Sequence, residues 1–334
     1  MKESKVYLLL CIVLLGSTIV ALLFGATHYS LSDIANYVFS HESSYSMEKA
    51  IFFELRLPRV ILTLIVGAIL GITGFLLQSL FRNPIIEPGL IGISSGAAFG
   101  AALFTVFGSS VTWICLIGSA GSAIFGALLA MTFIVFFASS KGNKGSVVLL
   151  LTGIAINALF YSGVGMLTLV ARDPQARSIT FWNLGSFSGA DWNQVVLMLF
   201  LFVPGLLLSF LLIRQLEALQ LGEEQAFYLG FNPKKIRYST LILASTMIAI
   251  ATSFVGVIAF VGLVVPHLSR RLGKGNFSNV LFKCCFLGAI ITTLADLLSR
   301  LIVSPAEVPL GIVTSLVGVP FFLWLLKQNV SYHD

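Results

Sequence analysis

A run of 53 residues from Pro88 to Ser140 contains no Asp, Glu, Lys or Arg, and no water-solvated domain accommodates so much uncharged apolar chain. The solvent around such a segment has to be lipid. Further charge-free stretches cover Val6 to Ser32, Val60 to Phe81, Gly145 to Ala171, Trp192 to Ile213, Tyr238 to Ser269 and Val308 to Leu326. A helix needs roughly 20 apolar residues to cross a hydrocarbon core about 30 Å thick, whereas barrel strands alternate over shorter segments. These runs are solid. The fold class they predict is all-α, a polytopic membrane protein in a lipid bilayer, in keeping with 57% hydrophobic and 10% charged residues.

The longest run has to hold two spans, and the small polar stretch Gly108-Ser109-Ser110-Val111-Thr112 is the expected divide. Tyr238 to Arg271 is too long for one crossing. Its predicted break is Pro266-His267, giving a full span followed by a short one. With the remaining segments, including Asn279 to Leu301 and Gly311 to Leu326, the chain reads as about ten spans. Lys2 and Lys5 before the first run resemble a secretory signal, yet that run is longer than a typical signal core and lacks a small-x-small exit, so a retained first span is expected. Residues 1–334 are expected to form one transmembrane domain.

Basic residues set orientation. With both termini in the cytoplasm, 14 of the 20 Lys and Arg fall on the inner side, among them Lys141, Lys144, Lys234, Lys235, Arg237, Arg270 and Arg271. This arrangement also accounts for the net charge of +6 with no nucleic-acid partner. Cys11, Cys115, Cys284 and Cys285 all lie in apolar segments and read as small core hydrophobes. No His, Cys, Asp or Glu grouping has metal-ligand spacing, and neither a cofactor nor a catalytic group is expected.

Small residues recur every fourth position at Gly92, Gly96 and Gly100, and again at Gly118, Ser122 and Gly126. That spacing places them on one helix face, where backbones can approach closely. Ion-coupled carriers usually hold carboxylates or histidines in mid-membrane. Asp296 and Arg300, spaced i, i+4, are the nearest candidates here and can pair with each other. The outer segment His28 to Pro58 is expected to carry one short amphipathic helix.

Between two spans on the inner side lies Leu221-Gly222-Glu223-Glu224-Gln225-Ala226-Phe227-Tyr228-Leu229-Gly230, acidic and apolar together. Gly222 and Gly230 would bracket a short surface helix within a segment at 215–236. A helix seated in a partner's groove and a solvated interfacial loop fit the spacing equally.

Six sequence words stand in order along the chain: Leu55-Arg56-Leu57-Pro58-Arg59; Gln78-Ser79-Leu80-Phe81-Arg82-Asn83-Pro84 with Glu87-Pro88-Gly89-Leu90-Ile91-Gly92; Arg177-Ser178-Ile179-Thr180-Phe181-Trp182; Leu221-Gly222-Glu223-Glu224; Phe260-Val261-Gly262-Leu263-Val264-Val265-Pro266-His267; and Pro305-Ala306-Glu307-Val308-Pro309-Leu310-Gly311. Over essentially its whole length the chain resembles the membrane permeases of bacterial ABC importers for iron-siderophore complexes, haem and cobalamin, the cobalamin-importer-like permeases of type II. The resemblance implies a second permease subunit, identical or paralogous, a dimer of cytoplasmic ABC ATPases, and an extracytoplasmic substrate-binding protein. It implies a multi-pass protein of the bacterial cell membrane that imports an iron-siderophore or haem complex, with cobalamin as the alternative cargo. No G-x-x-x-x-G-K-[ST] phosphate cradle is present, so energy has to come from a partner and the chain is not itself an enzyme.

By the same resemblance, Leu221, Gly222, Glu223, Glu224, Phe227, Tyr228 and Gly230 form the helix that couples to the ATPase. Arg56, Arg59 and Arg300 face acidic residues of the binding protein, the alternative for the first two being anchorage at the membrane surface. The fifth span, Val147 to Val170, lies beside the central path, followed by a short helix within Ser178 to Ser188. Its polar members Thr152, Asn157 and Ser162 either line the path or bond to neighbouring helices. Asn83, Ile85, Gly142 and Asn143 correspond to the family's inner gate. His267 is expected to have a helix-end structural role; ligation of haem or iron is the alternative. A gradient-driven secondary transporter and an intramembrane enzyme are the competing classes. The first would want mid-membrane charge and the second a pair of catalytic groups at one depth.

Overall fold

The structure, a computed structural model, describes residues 3–25, 29–39, 47–108, 111–139, 146–273 and 276–330. Gly142 and Asn143 lie outside these residues. The described chain is helical, and seven of its helices are long and apolar enough to cross a membrane. The first long helices are α1 (Glu3–Leu23), α4 (Leu57–Phe81), α6 (Thr112–Ser139) and α7 (Ser146–Val170). They are followed by α9 (Trp192–Leu221), α11 (Pro233–Val255) and α13 (Phe277–Leu301). The shorter apolar helix α5 (Ile93–Phe107), the short amphipathic α12 (Val261–Arg271) and α14 (Leu310–Val330), apolar over Leu310–Trp324, complete the ten predicted segments.

Helix α4 is the axis of the bundle: 89% of its most apolar stretch is buried, against 22% for α1 and 28% for α7 and α9. All four are hydrophobic around their whole circumference. In water that would drive all of them inward; in lipid only packing decides, so peripheral helices keep apolar faces outward. Glycine determines which helices win the centre. Gly67 and Gly71 of α4 press on the carbonyls of Gly288 and Cys284 in α13, and Gly74 presses on that of Gly262 in α12. Gly96 and Gly100 of α5 meet Gly126 and the Ser122 carbonyl of α6 in the same way. The predicted small-residue faces therefore do pack, although Gly118 does not and Gly92 does so against Gly153 and Asn157 of α7. Gly118 has nothing near it and instead kinks α6 at φ 74°. Gly92 turns the chain at φ 90° between a 3-10 turn, Pro88–Ile91, and α5.

Three boundaries differ from expectation. The break between the last full span before α13 and the short helix falls at Gly256 to Phe260, and Pro266 lies inside α12. A proline deprives the carbonyl four residues back of its donor; here the Gly262 carbonyl is approached by Nε2 of Gln78 at 3.4 Å. The helix after α7 is α8 (Asp173–Leu184), starting and ending earlier than Ser178 to Ser188 because Pro174 takes the first turn and Gly185, at φ 68°, ends it. The segment before α4 holds the expected short helix, α2 (Leu31–Phe39), but also α3 (Met47–Ala50), which runs through a π-helical stretch, Ile51–Arg56, into α4.

Candidate coupling and transport site

The ends of the bundle are fixed by two bonds. Gln220 Nε2 donates to the Ser79 carbonyl at 2.7 Å, placing the C-termini of α9 and α4 together. Trp192 Nε1 donates to the Phe53 carbonyl at 2.9 Å, joining their starts. The polar segments after α7 and before α4 thus share one end, and the segment after α9 lies at the other.

At that second end the bracketed helix is present as α10 (Glu223–Tyr228). Gly222, at φ 129°, turns the chain out of α9, and Gly230, at φ 86°, turns it toward α11. Both conformations suit glycine because a Cβ disfavours positive φ. Glu223 anchors the helix to α11 through Arg237 at 2.6 Å, and Ala226 is buried beneath it. Everything else projects away: Phe227 is 66% exposed, Tyr228 84% and Leu221 65%. Phe227 and Tyr228, with Glu223, Glu224, Asn232, Pro233 and Lys234, line an open cleft of about 480 Å³. Two adjacent aromatic rings thus stand exposed beside carboxylates, an apolar patch of the kind that contact surfaces carry.

Beside it, Arg82 closes α4 in the left-handed region at φ 51°. The loop then turns on Asn83, whose Oδ1 accepts the Ile85 N–H at 3.0 Å, leaving Ile85 39% exposed. On α7, the Thr152 and Ser162 hydroxyls donate to carbonyls of their own helix, Val148 at 2.8 Å and Ala158 at 2.9 Å. Neither makes the helix-to-helix bond that was one of the two expectations. Asn157 packs its backbone N–H against Gly92, and its Oδ1 is buried without a hydrogen-bond partner. Leu151, Leu159, Met166 and Leu169 on the same helix are exposed.

At the opposite end the three arginines come together, but inward. Arg59 pairs with Asp296 at 2.8 Å and with Glu307 at 2.7 Å. Arg300 pairs with Asp296 at 3.1 Å, as its i, i+4 spacing predicted. Arg56 and Arg300 are only 7% and 6% exposed, and Arg56 also lies 4.6 Å over the Tyr29 ring. Arg59 and Arg300 join the rim in an ion-pair network, while Arg56 donates to the Leu22 and Leu23 carbonyls, so neither Arg56 nor Arg300 offers its charge as an open surface.

Three polar residues had no role assigned from sequence. Gln78 is 2% exposed and bonded to α12 and to the loop after α4. Glu87 accepts the backbone N–H of Phe260 at the head of α12. Lys283 is fully buried on α13 and paired with Glu3 at 2.9 Å. Gln78 and Glu87 sit inside the sequence words that carry the family resemblance, a signal that could have singled them out. His267 is not at a helix end: it lies in mid-α12 with its ring 6.0 Å from Phe321. Cys11 is exposed on α1 and Cys284 is buried, so only the latter is a core residue of the two.

Residues 10–328 match the FecCD transport family. The chain belongs to that family. It is 41% identical over 279 residues to the hemin transport system permease protein HmuU of Yersinia pestis, covering 84% of both chains. It is 32% identical to the iron(3+)-hydroxamate import system permease protein FhuB of Bacillus subtilis, over 96% of this chain and 82% of that one. The vitamin B12 import system permease protein BtuC of Serratia proteamaculans is 35% identical, over 91% and 89%. A solved metal-chelate type ABC transporter in an inward-facing conformation superposes with a TM-score of 0.84 at 30% identity, covering 97% of this chain and 99% of that one. As a FecCD protein the chain is a multi-pass membrane permease, and its relatives are transport permeases rather than enzymes.

Proposed function

We propose that the chain imports a haem or iron-siderophore complex as one permease subunit of an ABC importer, with α10 receiving the force of a separate ATPase. The exposed Phe227–Tyr228 pair on a helix anchored through Glu223 carries the coupling assignment: the helix is held firmly to α11 while its apolar surface waits for a partner. The acidic start of α10, at Glu223 and Glu224, suits basic residues on that partner as well as its own helix N-terminus. Haem stands first because the hemin permease shares 41% identity; cobalamin, with relatives at 34–35%, is the lesser reading.

The distribution of Lys and Arg supports both termini and α10 in the cytoplasm. The whole chain then acts as a single permease domain with a coupling segment at 215–236. It dimerises with a second copy or a paralogue, with Asn83, Ile85, Gly142 and Asn143 gating the inner mouth and Thr152, Asn157 and Ser162 beside the path. An extracytoplasmic binding protein docks at the end that carries Arg56, Arg59 and Arg300. All three arginines are bonded within the chain, so they frame that surface, and salt-sensitive contact has to compete with the Arg59–Glu307 pair at its exposed edge. ATP-driven closure below would shift which mouth is open.

The test is reconstitution of the permease with its ATPase and binding protein in vesicles, supplied in turn with haem, a ferric hydroxamate and cobalamin. ATP-dependent accumulation of haem or the hydroxamate is expected, with none from the permease alone. Concentrative uptake by the permease alone, driven by an ion gradient, would overturn the reading in favour of a secondary transporter.

A further inference from the structure

Gln78 spends one buried amide on three parts of the molecule. Its Oε1 accepts from Arg270 Nη1, in the last turn of α12, at 2.7 Å. Its Nε2 lies 3.3 Å from the Ile86 carbonyl in the loop after α4, and 3.4 Å and 3.3 Å from the Gly262 and Leu263 carbonyls near the head of α12. Two N–H groups cannot fully serve three carbonyls. The amide is therefore poised between loop and helix, and a small displacement of α4 can trade one acceptor for another.

The loop is tied back to the same residue. It leaves α4 with Asn83 N–H donating to the Gln78 carbonyl at 3.1 Å, and returns with the Ile86 carbonyl facing the Gln78 amide. Its far end is pinned by Glu87 on the N–H of Phe260, a residue held at φ 66° where α12 begins. Pro88 follows immediately and packs against Gly262. Loop and half-helix cannot move independently while these bonds persist.

The neighbouring residue faces the coupling helix. Ser79 gives its carbonyl to Gln220, one residue before the end of α9 and three before α10 starts. A push on α10 that shifts the end of α9 therefore reaches the turn of α4 holding Ser79 and Gln78 through a single short hydrogen bond.

Resting on the importer reading above, we propose that Gln78 is a positioning residue that relays movement of α10, through Gln220 and Ser79, to the Asn83–Ile86 loop and the head of α12. A merely structural Gln78 would hold the same bonds yet transmit nothing, and physical contiguity alone does not establish coupling. The two roles separate by experiment. Gln220→Leu, Gln78→Leu and the double variant are reconstituted with the ATPase and binding protein. Haem moved per ATP hydrolysed is measured. In a parallel cysteine-free background, spin labels at Ile85→Cys and Lys235→Cys report the distance between loop and coupling end with and without nucleotide.

Each single variant is expected to retain ATPase assembly and hydrolysis while haem per ATP falls about tenfold, within the range usual for coupling between sites. The double variant should fall no further than the worse single, since both act on one relay. The nucleotide-dependent change in label distance should vanish. Haem per ATP within about twofold of wild type in Gln220→Leu, with the label response intact, would overturn the relay, as would single losses that multiply in the double. If Gln78→Leu does not fold, Gln220→Leu still decides, because it leaves every bond of Gln78 in place. The labels need no cargo, so absence of haem uptake by the wild-type complex would count against the haem reading and leave the relay to the label measurement.

Discussion

Arg56 and Arg300 meet across Gly25 at the C-terminus of α1, their guanidinium nitrogens 2.7 Å and 3.1 Å from where a Cβ on that glycine would stand. Arg56 donates to the Leu22 carbonyl at 3.0 Å, and Arg300 to that of Phe24 at 3.3 Å. Helix α1 has no basic residue in its last turn, so the carbonyls that end it draw their donors from α13 and from the π-helical stretch before α4. A helix end in an apolar surround needs such donors.

Replacing Arg300 with Ala should therefore act on stability rather than only on docking. It removes two caps of α1 and one partner of buried Asp296, a loss of about 3 kcal/mol, the lower end for a broken buried pair because Arg59 remains. Arg300→Lys should recover little, since an ammonium cannot span two carbonyls and a carboxylate. Thermal unfolding of the detergent-solubilised protein measures both; a melting midpoint equal to wild type for Arg300→Ala would refute the capping role.

Lys283 and Glu3 give a sharper stability test. Glu3→Gln leaves a fully buried ammonium without its carboxylate, and breaking such a pair costs about 3–5 kcal/mol. Lys283→Met in the same chain should restore most of the loss, because an apolar side chain of similar volume has no charge to strand. A double variant as unstable as Glu3→Gln alone would show that the pair is not what holds α1 to α13.

Gly100→Leu should separate α5 from α6. Even one added carbon meets the Ser122 carbonyl, and overpacking of this kind costs about 1–3 kcal/mol. By contrast Gly165→Leu, where nothing lies within 4 Å, should be nearly silent. Comparing expression and melting midpoint of the two isolates packing from general intolerance of the membrane to substitution.

Coupling makes a different demand on Gly222. Proline is confined to φ near −65° and cannot adopt the 129° found here, so Gly222→Pro should swing α10 off its seat. Glu224→Arg should instead leave the helix in place and reverse one charge of its surface. Both are expected to cut uptake per ATP by at least about tenfold, with Glu224→Arg alone remaining sensitive to added salt. Unchanged transport in both variants would remove α10 from the coupling role.

Span number, the divide after Phe107, the packed glycine faces of α5 and α6, and the glycines around α10 were all readable from sequence. Each depends on local signals: apolar length, small-residue spacing, and the preference of glycine for positive φ. Pro266 misled for the same reason. Alone it marks a helix break, but Gln78, 188 positions earlier in the chain (266 − 78), approaches the carbonyl it orphans.

Sequence by itself determined that this chain lives in lipid, how often it turns, and where the acidic-aromatic helix α10 lies, because the bilayer imposes length and apolarity on each segment separately. Tertiary structure decided which polar groups are spent inside. Arg59 meets Asp296 across 237 positions, and Gln78 meets Arg270 across 192. Without water in the bilayer core the partners of such groups have to come from within the protein, and only the packed fold determines which they are.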